Sequence, residues 1–241
     1  MSQVSELHSV SSLGFVVAID GPAGAGKSTV AKRVAEVCGL SLVDTGAIYR
    51  TLAWTASQEG ISHDDEDALA ARAVQLQIRF RMVEGENHTW LMRDGREENV
   101  SAFIRTPEMS LGASAVSRHP KVRGALLELQ RRLGANEAVL EGRDIGTVVF
   151  PDAPLKIFLT ASAQERARRR AEELAFRGAA EPYDKVLAEI LQRDKQDSER
   201  PVAPLKPAAD SWYLDSTDLT AEEVVEQVRV RVEKERGTRA A

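Results

Sequence analysis

Residues 21–29 read GPAGAGKST and follow the apolar run FVVAI at 15–19, with Asp20 between them. The stretch matches Gly-x-x-x-x-Gly-Lys-Ser at every fixed position, and a short buried strand running through such a loop into a helix is the context that gives the pattern its meaning. Gly21, Gly24 and Gly26 allow a tight turn whose backbone N–H groups face a phosphate chain, with Pro22, Ala23 and Ala25 filling the loop and Thr29 continuing into the helix. Lys27 is expected to reach the β and γ phosphates, and the Ser28 hydroxyl to hold Mg²⁺ shared with them. A nucleoside triphosphate is therefore the expected ligand. Left open by the loop is the destination of the terminal phosphoryl group, which is either water or a second substrate.

Outward from the loop, KSTVAKRVAEVCG reads as a helix closing on Gly39, LSLVD at 40–44 as a second strand, and GAIYRTLAWTASQEG as a second helix. Strands alternating with helices predict an α/β fold with a central parallel sheet flanked by helices. The character shifts from about 62 to 105, where HDDEDALAARAVQ reads as a short helix and LQIRFRMV, HTWLMRDG and REENV as a small antiparallel meander. Helices interrupted at Pro120 come next, then an apolar strand running into the charged loop EGRDIG at 141–146, then the strand LKIFLT. SWYLDS reads as a last strand. Capping-box patterns at Ser162-x-x-Glu165 and Thr220-x-x-Glu223 each announce a helix.

Composition narrows the partners. The chain has 241 residues, 32 basic against 37 acidic, and a formal charge of −5, so no positive field recruits nucleic acid or an anionic membrane. Cys38 is the one cysteine, which excludes an intrachain disulfide framework and points to a reducing, cytoplasmic setting. No apolar run reaches the roughly 20 residues of a membrane span. The first 13 residues lack the layout of a signal peptide and read as a disordered leader. With no heptad run, a monomer is expected. A guanine-reading Asn-Lys-x-Asp is absent, DKQD at 194–197 being the nearest approach.

Four clusters fall where loops at the carboxyl ends of strands converge: DTGAIYR (44–50), SAVSRHPKVR (114–123), EGRDIG (141–146) and RDKQDSERPVAPL (193–205). On a helix, Arg193, Asp197 and Arg200 form one stripe at i, i+4 and i+7, with a solvated salt-bridged face as the alternative. Arg166, Arg169 and Arg170 form another, three like charges that either surround an anion or are balanced by Glu165, Glu172 and Glu173 at the surface.

The pieces IDGPAGAGKST, DTGAIYR, EGRDIGTVVFPDAPLKIFLTAS, ERARRRAEEL, RDKQDSERPVAPLKPAAD and LDST, in that order, resemble the bacterial cytidylate kinases, a family of P-loop nucleoside monophosphate kinases. The likeness runs from Val16 to the last helix. It implies a P-loop kinase fold with core 14–61 and 106–241, a monophosphate-binding insertion at about 62–105 and a lid at about 166–200. It also implies phosphorylation of CMP and dCMP by ATP. Position by position, the resemblance has Arg50, Arg143 and Arg200 hold the acceptor phosphate with the Thr45 hydroxyl, Ser114, Arg123 and Asp144 read the cytosine edge, and Asp197 bond a ribose hydroxyl. Lys27, Arg143 and the lid arginines Arg166, Arg169 and Arg170 are the catalytic residues it implies. Thr45 stands where many relatives carry Ser.

Overall fold

The computed structural model describes residues 14–176 and 178–240, so the leader expected at 1–13 lies outside the described residues. Its centre is a sheet of five parallel strands in the order β2 (Ser41–Asp44), β6 (Ala138–Gly142), β1 (Val16–Asp20), β7 (Leu155–Thr160) and β8 (Trp212–Asp215). β1 and β6 are buried along their whole length, as strands covered on both faces must be. Alternation divides their side chains between two layers. Val17, Ile19, Val139 and Ile157 pack with α1 (Lys27–Cys38) and α9 (Ala221–Ala240), while Val16, Ala18, Ala138 and Leu140 face the opposite layer.

Register positions the chemistry. Asp20 at the end of β1 pairs with Gly142, and Asp44 at the end of β2 pairs with Glu141. Both pairs lie at the carboxyl ends of parallel strands, where the phosphate loop also emerges. Asp44 caps α2 (Thr45–Gln58) by accepting the Ala47 N–H at 2.8 Å, so one residue ends a strand, starts a helix and faces the crevice.

A second sheet, antiparallel, joins β3 (Ile78–Val83), β4 (Glu86–Arg93) and β5 (Arg96–Asn99). Its two hairpin turns are Glu84-Gly85 and Asp94-Gly95, all four residues with positive φ, which matches the right-handed twist of the strands. Together with α3 (Glu66–Val74) and α4 (Ser101–Ile104) it occupies the segment whose composition differs from the rest. Apolar packing nevertheless runs across both ends of that segment. Leu69, Ile78, Leu91 and Ile104 share one buried cluster with Leu52 of α2, Met109 of α5 (Pro107–Ser117) and Leu126 of α6 (Pro120–Leu133).

Two further helices, α7 (Ala163–Phe176) and α8 (Tyr183–Glu199), pack on each other through Ala167, Val186 and Ile190. The two capping patterns differ in how far they close. Thr220 and Glu223 each donate a backbone N–H to the other's side-chain oxygen, whereas Ser162 accepts the Glu165 N–H but sends its own N–H to the Thr217 hydroxyl. One element escapes sequence patterning. Residues Ile145–Val149, expected as loop, form a turn of π-helix, with the Phe150 N–H donating to the Ile145 carbonyl at 2.7 Å.

Two glycines separate packing from propensity. A methyl group at Gly134 would lie 2.8 Å from a Phe150 ring carbon and 2.9 Å from both Leu140 methyls, whereas one at the exposed Gly124, inside α6, meets nothing within 4 Å. Gly124→Ala is expected to stabilise the protein by about 0.5–1 kcal/mol and Gly134→Ala to destabilise it by about 1–3 kcal/mol, measured by urea unfolding.

Candidate active site

The phosphate loop is shaped by contact. At Gly21, φ is +152° and a Cβ would fall 1.9 Å from the Leu159 carbonyl oxygen, so the loop leaves β1 by a path open to glycine alone. Gly26, with φ of 84°, precedes the first turn of α1 and directs its N–H groups into the loop. Lys27 is buried, and its Nζ donates to the Pro22 carbonyl at 2.7 Å. Burial, then the Arg143 and Arg193 guanidiniums, push its pKa well below the usual lysine range against the opposing pull of Glu141 and Asp197.

Ser28 donates to Glu141 Oε2 at 2.8 Å. Burial, then the Asp44 carboxylate beside it, lifts Glu141 to about 7. A hydroxyl and two crowded carboxylates are hard oxygen donors whose mutual repulsion a small divalent cation relieves. Among the described residues no cluster of three or more His, Cys, Asp or Glu side chains forms a cage. The Ser28 hydroxyl with the Glu141 carboxylate is a hard oxygen set of the kind that holds Mg²⁺ through one or two protein oxygens together with phosphates and water.

Opposite the loop lies an arginine-lined crevice. Arg50 pairs with Asp44 at 2.7 Å, Arg143 Nε donates to Asp197 at 2.8 Å, and Arg123 donates to the buried Asp144 and lies with its guanidinium over the Tyr49 ring. Arg200 donates from Nε to the Ala203 carbonyl and approaches Asp197 at 3.8 Å. Burial works to raise Asp197, but Arg143, Arg193 and Arg200 outweigh it and hold the carboxyl below its usual range. Arg50 Nε, Arg123 Nε, Arg193 Nε and Arg200 Nη2 are buried without a hydrogen-bond partner. Burial, then Arg143, lowers Arg193, and burial, then Arg123, lowers Arg200, so these neighbouring cations repel one another and favour an anion among them.

Several expectations are corrected by this geometry. The Thr45 hydroxyl does not face the crevice as a free donor; it is buried and donates to the Glu141 carbonyl at 2.7 Å, tying α2 to β6. Arg200 is not on the helix that carries Arg193 and Asp197, since α8 ends at Glu199 and Arg200 is extended, yet its side chain still returns to Asp197. The second stripe is not a bare row of cations. Arg166 is engaged by Ala161, Ala23 and Asp194; Arg169 by Glu165 and by Ser216, through both its hydroxyl and its carbonyl; and Arg170 pairs with Glu173. Ser114 is half-buried on α5.

Two residues take a place at the site for which the resemblance gave no role, Arg193 reading from sequence only as part of a stripe. Arg193 lies in the crevice, where burial and then Arg143 lower its pKa to about 10. The i, i+4 spacing to Asp197 was its signal. Asp20 accepts the N–H groups of Ile145 at 2.8 Å and Gly146 at 2.7 Å, pinning the charged loop to the end of the phosphate-loop strand. No motif spacing links positions so far apart in sequence.

A phosphate loop at the end of the central parallel strand, with the Arg143 and Arg193 guanidiniums close enough to act on its lysine, defines a P-loop kinase. Residues 17–234 match the family model described as cytidylate kinase. A cytidylate kinase of Pseudomonas aeruginosa (strain LESB58) is 50% identical over 214 residues, 88% of this chain and 93% of that one, and a cytidylate kinase of Geobacter sp. (strain M21) is 50% identical over 224 residues, 92% and 94% of the two chains. The chain belongs to the cytidylate kinase family. At the level of fold alone, an uncharacterized protein from Eubacterium ventriosum superposes with a TM-score of 0.52 at 10% identity, covering 91% of this chain and 98% of that one.

Asp20 offers a pH test. Burial lifts its carboxyl from 3.8 to about 6, against the two backbone N–H bonds that favour the ionised form. The folded chain thus binds this proton more tightly than the unfolded chain, so the group's contribution to stability is full below about pH 4 and is lost as pH rises through about 6. Asp20→Asn cannot titrate. Its stability relative to the wild type should therefore shift in the variant's favour by up to about 3 kcal/mol between about pH 4 and pH 8 in denaturant unfolding. A difference independent of pH would contradict the assignment.

Proposed function

We propose that the chain transfers the γ-phosphoryl group of ATP directly to CMP or dCMP, giving ADP and CDP or dCDP. The observation that carries this reading is the cluster of arginines beside Lys27, in which Arg143 and Arg193 act on Lys27 and Arg143, Arg193 and Arg200 surround Asp197. An acceptor phosphate balances the positive excess and brings its own negative charge, so no strong general base is required and positioning with charge stabilisation suffices.

In this reading the loop from Gly21 to Thr29 cradles the ATP phosphates and Lys27 reaches the β and γ groups. Phosphate charge opposes the burial and the neighbouring guanidiniums that depress Lys27, favouring its ammonium form when needed. Ser28 holds Mg²⁺ with Glu141 close by; the ion, when bound, neutralises charge on the phosphates. Arg50, Arg143, Arg193 and Arg200 take the acceptor phosphate. Asp197, held between Arg143 and Arg200, bonds a ribose hydroxyl. Ser114, Arg123 and Asp144 face the base, and the Arg170 charge is among those that lower Arg193.

Asp144 is an acceptor held in place by Arg123. Cytosine presents an amino donor where uracil presents a carbonyl, so a fixed acceptor favours the first and is left opposing oxygen by the second. The division into core, insertion at about 62–105 and lid at about 166–200 is part of the proposal, as are a monomeric state, a cytoplasmic setting and free nucleotides as partners, without nucleic acid or membrane. Among the described residues no helix is long and apolar enough to cross a membrane.

The test is coupled ADP production with ATP, Mg²⁺ and a panel of CMP, dCMP, UMP, AMP, GMP, shikimate and no acceptor. Turnover is expected with CMP and dCMP, with kcat/KM for UMP lower by at least about 100-fold. Arg200→Ala is expected to weaken acceptor affinity and kcat together. Comparable constants for CMP and UMP would sink the base-reading assignment; turnover confined to another acceptor, or none beyond hydrolysis, would sink the reaction.

A further inference from the structure

α7 and α8 have a small apolar core of their own, Ala167, Val186 and Ile190 with Ala171, Leu174 and Leu187, which shares no residue with the clusters on either face of the parallel sheet. Polar contacts must therefore set how this hairpin stands against the phosphate loop. The centre of those contacts is Arg166. Its side chain is 6% exposed, and it donates from Nε to the Ala161 carbonyl at 2.9 Å, from Nη1 to the Ala23 carbonyl at 3.0 Å, and from both Nη atoms to the Asp194 carboxylate at 3.1 and 2.6 Å. Ala23 lies inside the phosphate loop. Contact there is close, because a Cβ on Gly24 would come within 3.1 Å of Arg166 Cβ and of its carbonyl oxygen.

Asp194 sits on α8 between Arg193 and Asp197, two residues that face the acceptor crevice. One guanidinium thus joins the donor loop to the helix that carries acceptor-side groups. We propose that Asp194 is a positioning residue: through the bidentate pair with Arg166 it fixes the distance between the donor phosphates on the loop and the acceptor phosphate held from α8. The proposal rests on the kinase reading above and adds to it a residue that touches neither nucleotide. A planar two-point pair resists rotation as well as separation, which a single hydrogen bond does not. Misplacement of reacting groups by about 1 Å costs on the order of 100-fold in rate while leaving each partner bound.

The experiment uses the full chain and compares wild type, Asp194→Asn and Asp194→Glu by calorimetric binding of ATP and of CMP, and by kcat per nucleotide-binding site. Asp194→Asn is expected to lose at least about 10-fold in kcat while both dissociation constants stay within about threefold and binding stoichiometry is unchanged. Asp194→Glu, which keeps the carboxylate, is expected to recover most of the loss. An Asn variant within about twofold of wild-type kcat overturns the proposal, as does a loss of binding stoichiometry in step with activity in both variants, which marks a purely structural role. A wild type that binds ATP yet makes no ADP with CMP overturns the kinase reading itself, an outcome separate from any effect at Asp194.

Discussion

Cations buried together in one crevice persist only if carboxylates are interleaved among them, and the site is organised by that constraint. Arg50 has Asp44, Arg123 has Asp144, Arg143 has Asp197, and Arg166 has Asp194. The Arg166–Asp194 pair is bidentate, while the other three are incomplete or shared. Asp197 serves Arg143 and lies within reach of Arg200, while Arg193 and Lys27 are left under the repulsion of their neighbours. Breaking a buried pair is far more costly than exchanging its partners, so the arrangement is rigid where paired and receptive where not. The positive excess marks where an anion is stabilised.

The fold supplies this arrangement through register rather than through local sequence. Parallel pairing brings Asp20 beside Gly142 and Asp44 beside Glu141, which aligns the ends of β1, β2 and β6. Asp20 then draws two successive N–H groups of the following loop, Ile145 and Gly146, onto its carboxylate. The backbone beyond opens into a π turn, and Arg143 and Asp144 project from the strand end toward α8 and α6. Donor and acceptor sides are thus mounted on adjacent strands of one buried sheet.

Much of this was legible in the chain. Apolar runs marked β1, β2 and β7, and the fixed spacing at 21–29 marked the phosphate loop, because a buried parallel strand and a glycine cradle are both written in consecutive residues. The meander was legible because Glu84-Gly85 and Asp94-Gly95 are turn dipeptides. What escaped depends on partners distant in sequence. Thr45 reads as a free hydroxyl until β6 is placed beside it, Arg166 reads as a lid cation until Ala23 and Asp194 are seen to engage it, and Arg200 reads as helical although the helix ends one residue before it. Side-chain chemistry can be listed from sequence, but whether a donor is free is a property of the packing.

Glu141 shows why the free groups are the informative ones. A carboxylate buried at a strand end beside Asp44 is unfavourable by itself, and burial, then the Asp44 charge, raises its pKa to about 7. Asp44 has a structural role as the cap of α2 and the partner of Arg50, but a fold selected only for stability has no such reason to bury Glu141 beside it when a neutral residue of similar volume would avoid the desolvation. The serine of the phosphate loop is hydrogen-bonded to Glu141, which places the repulsion within reach of the phosphates that the loop is shaped to hold. Local instability of this kind is offset by the buried sheet beneath it, and it leaves a site whose electrostatic balance is completed by what binds there.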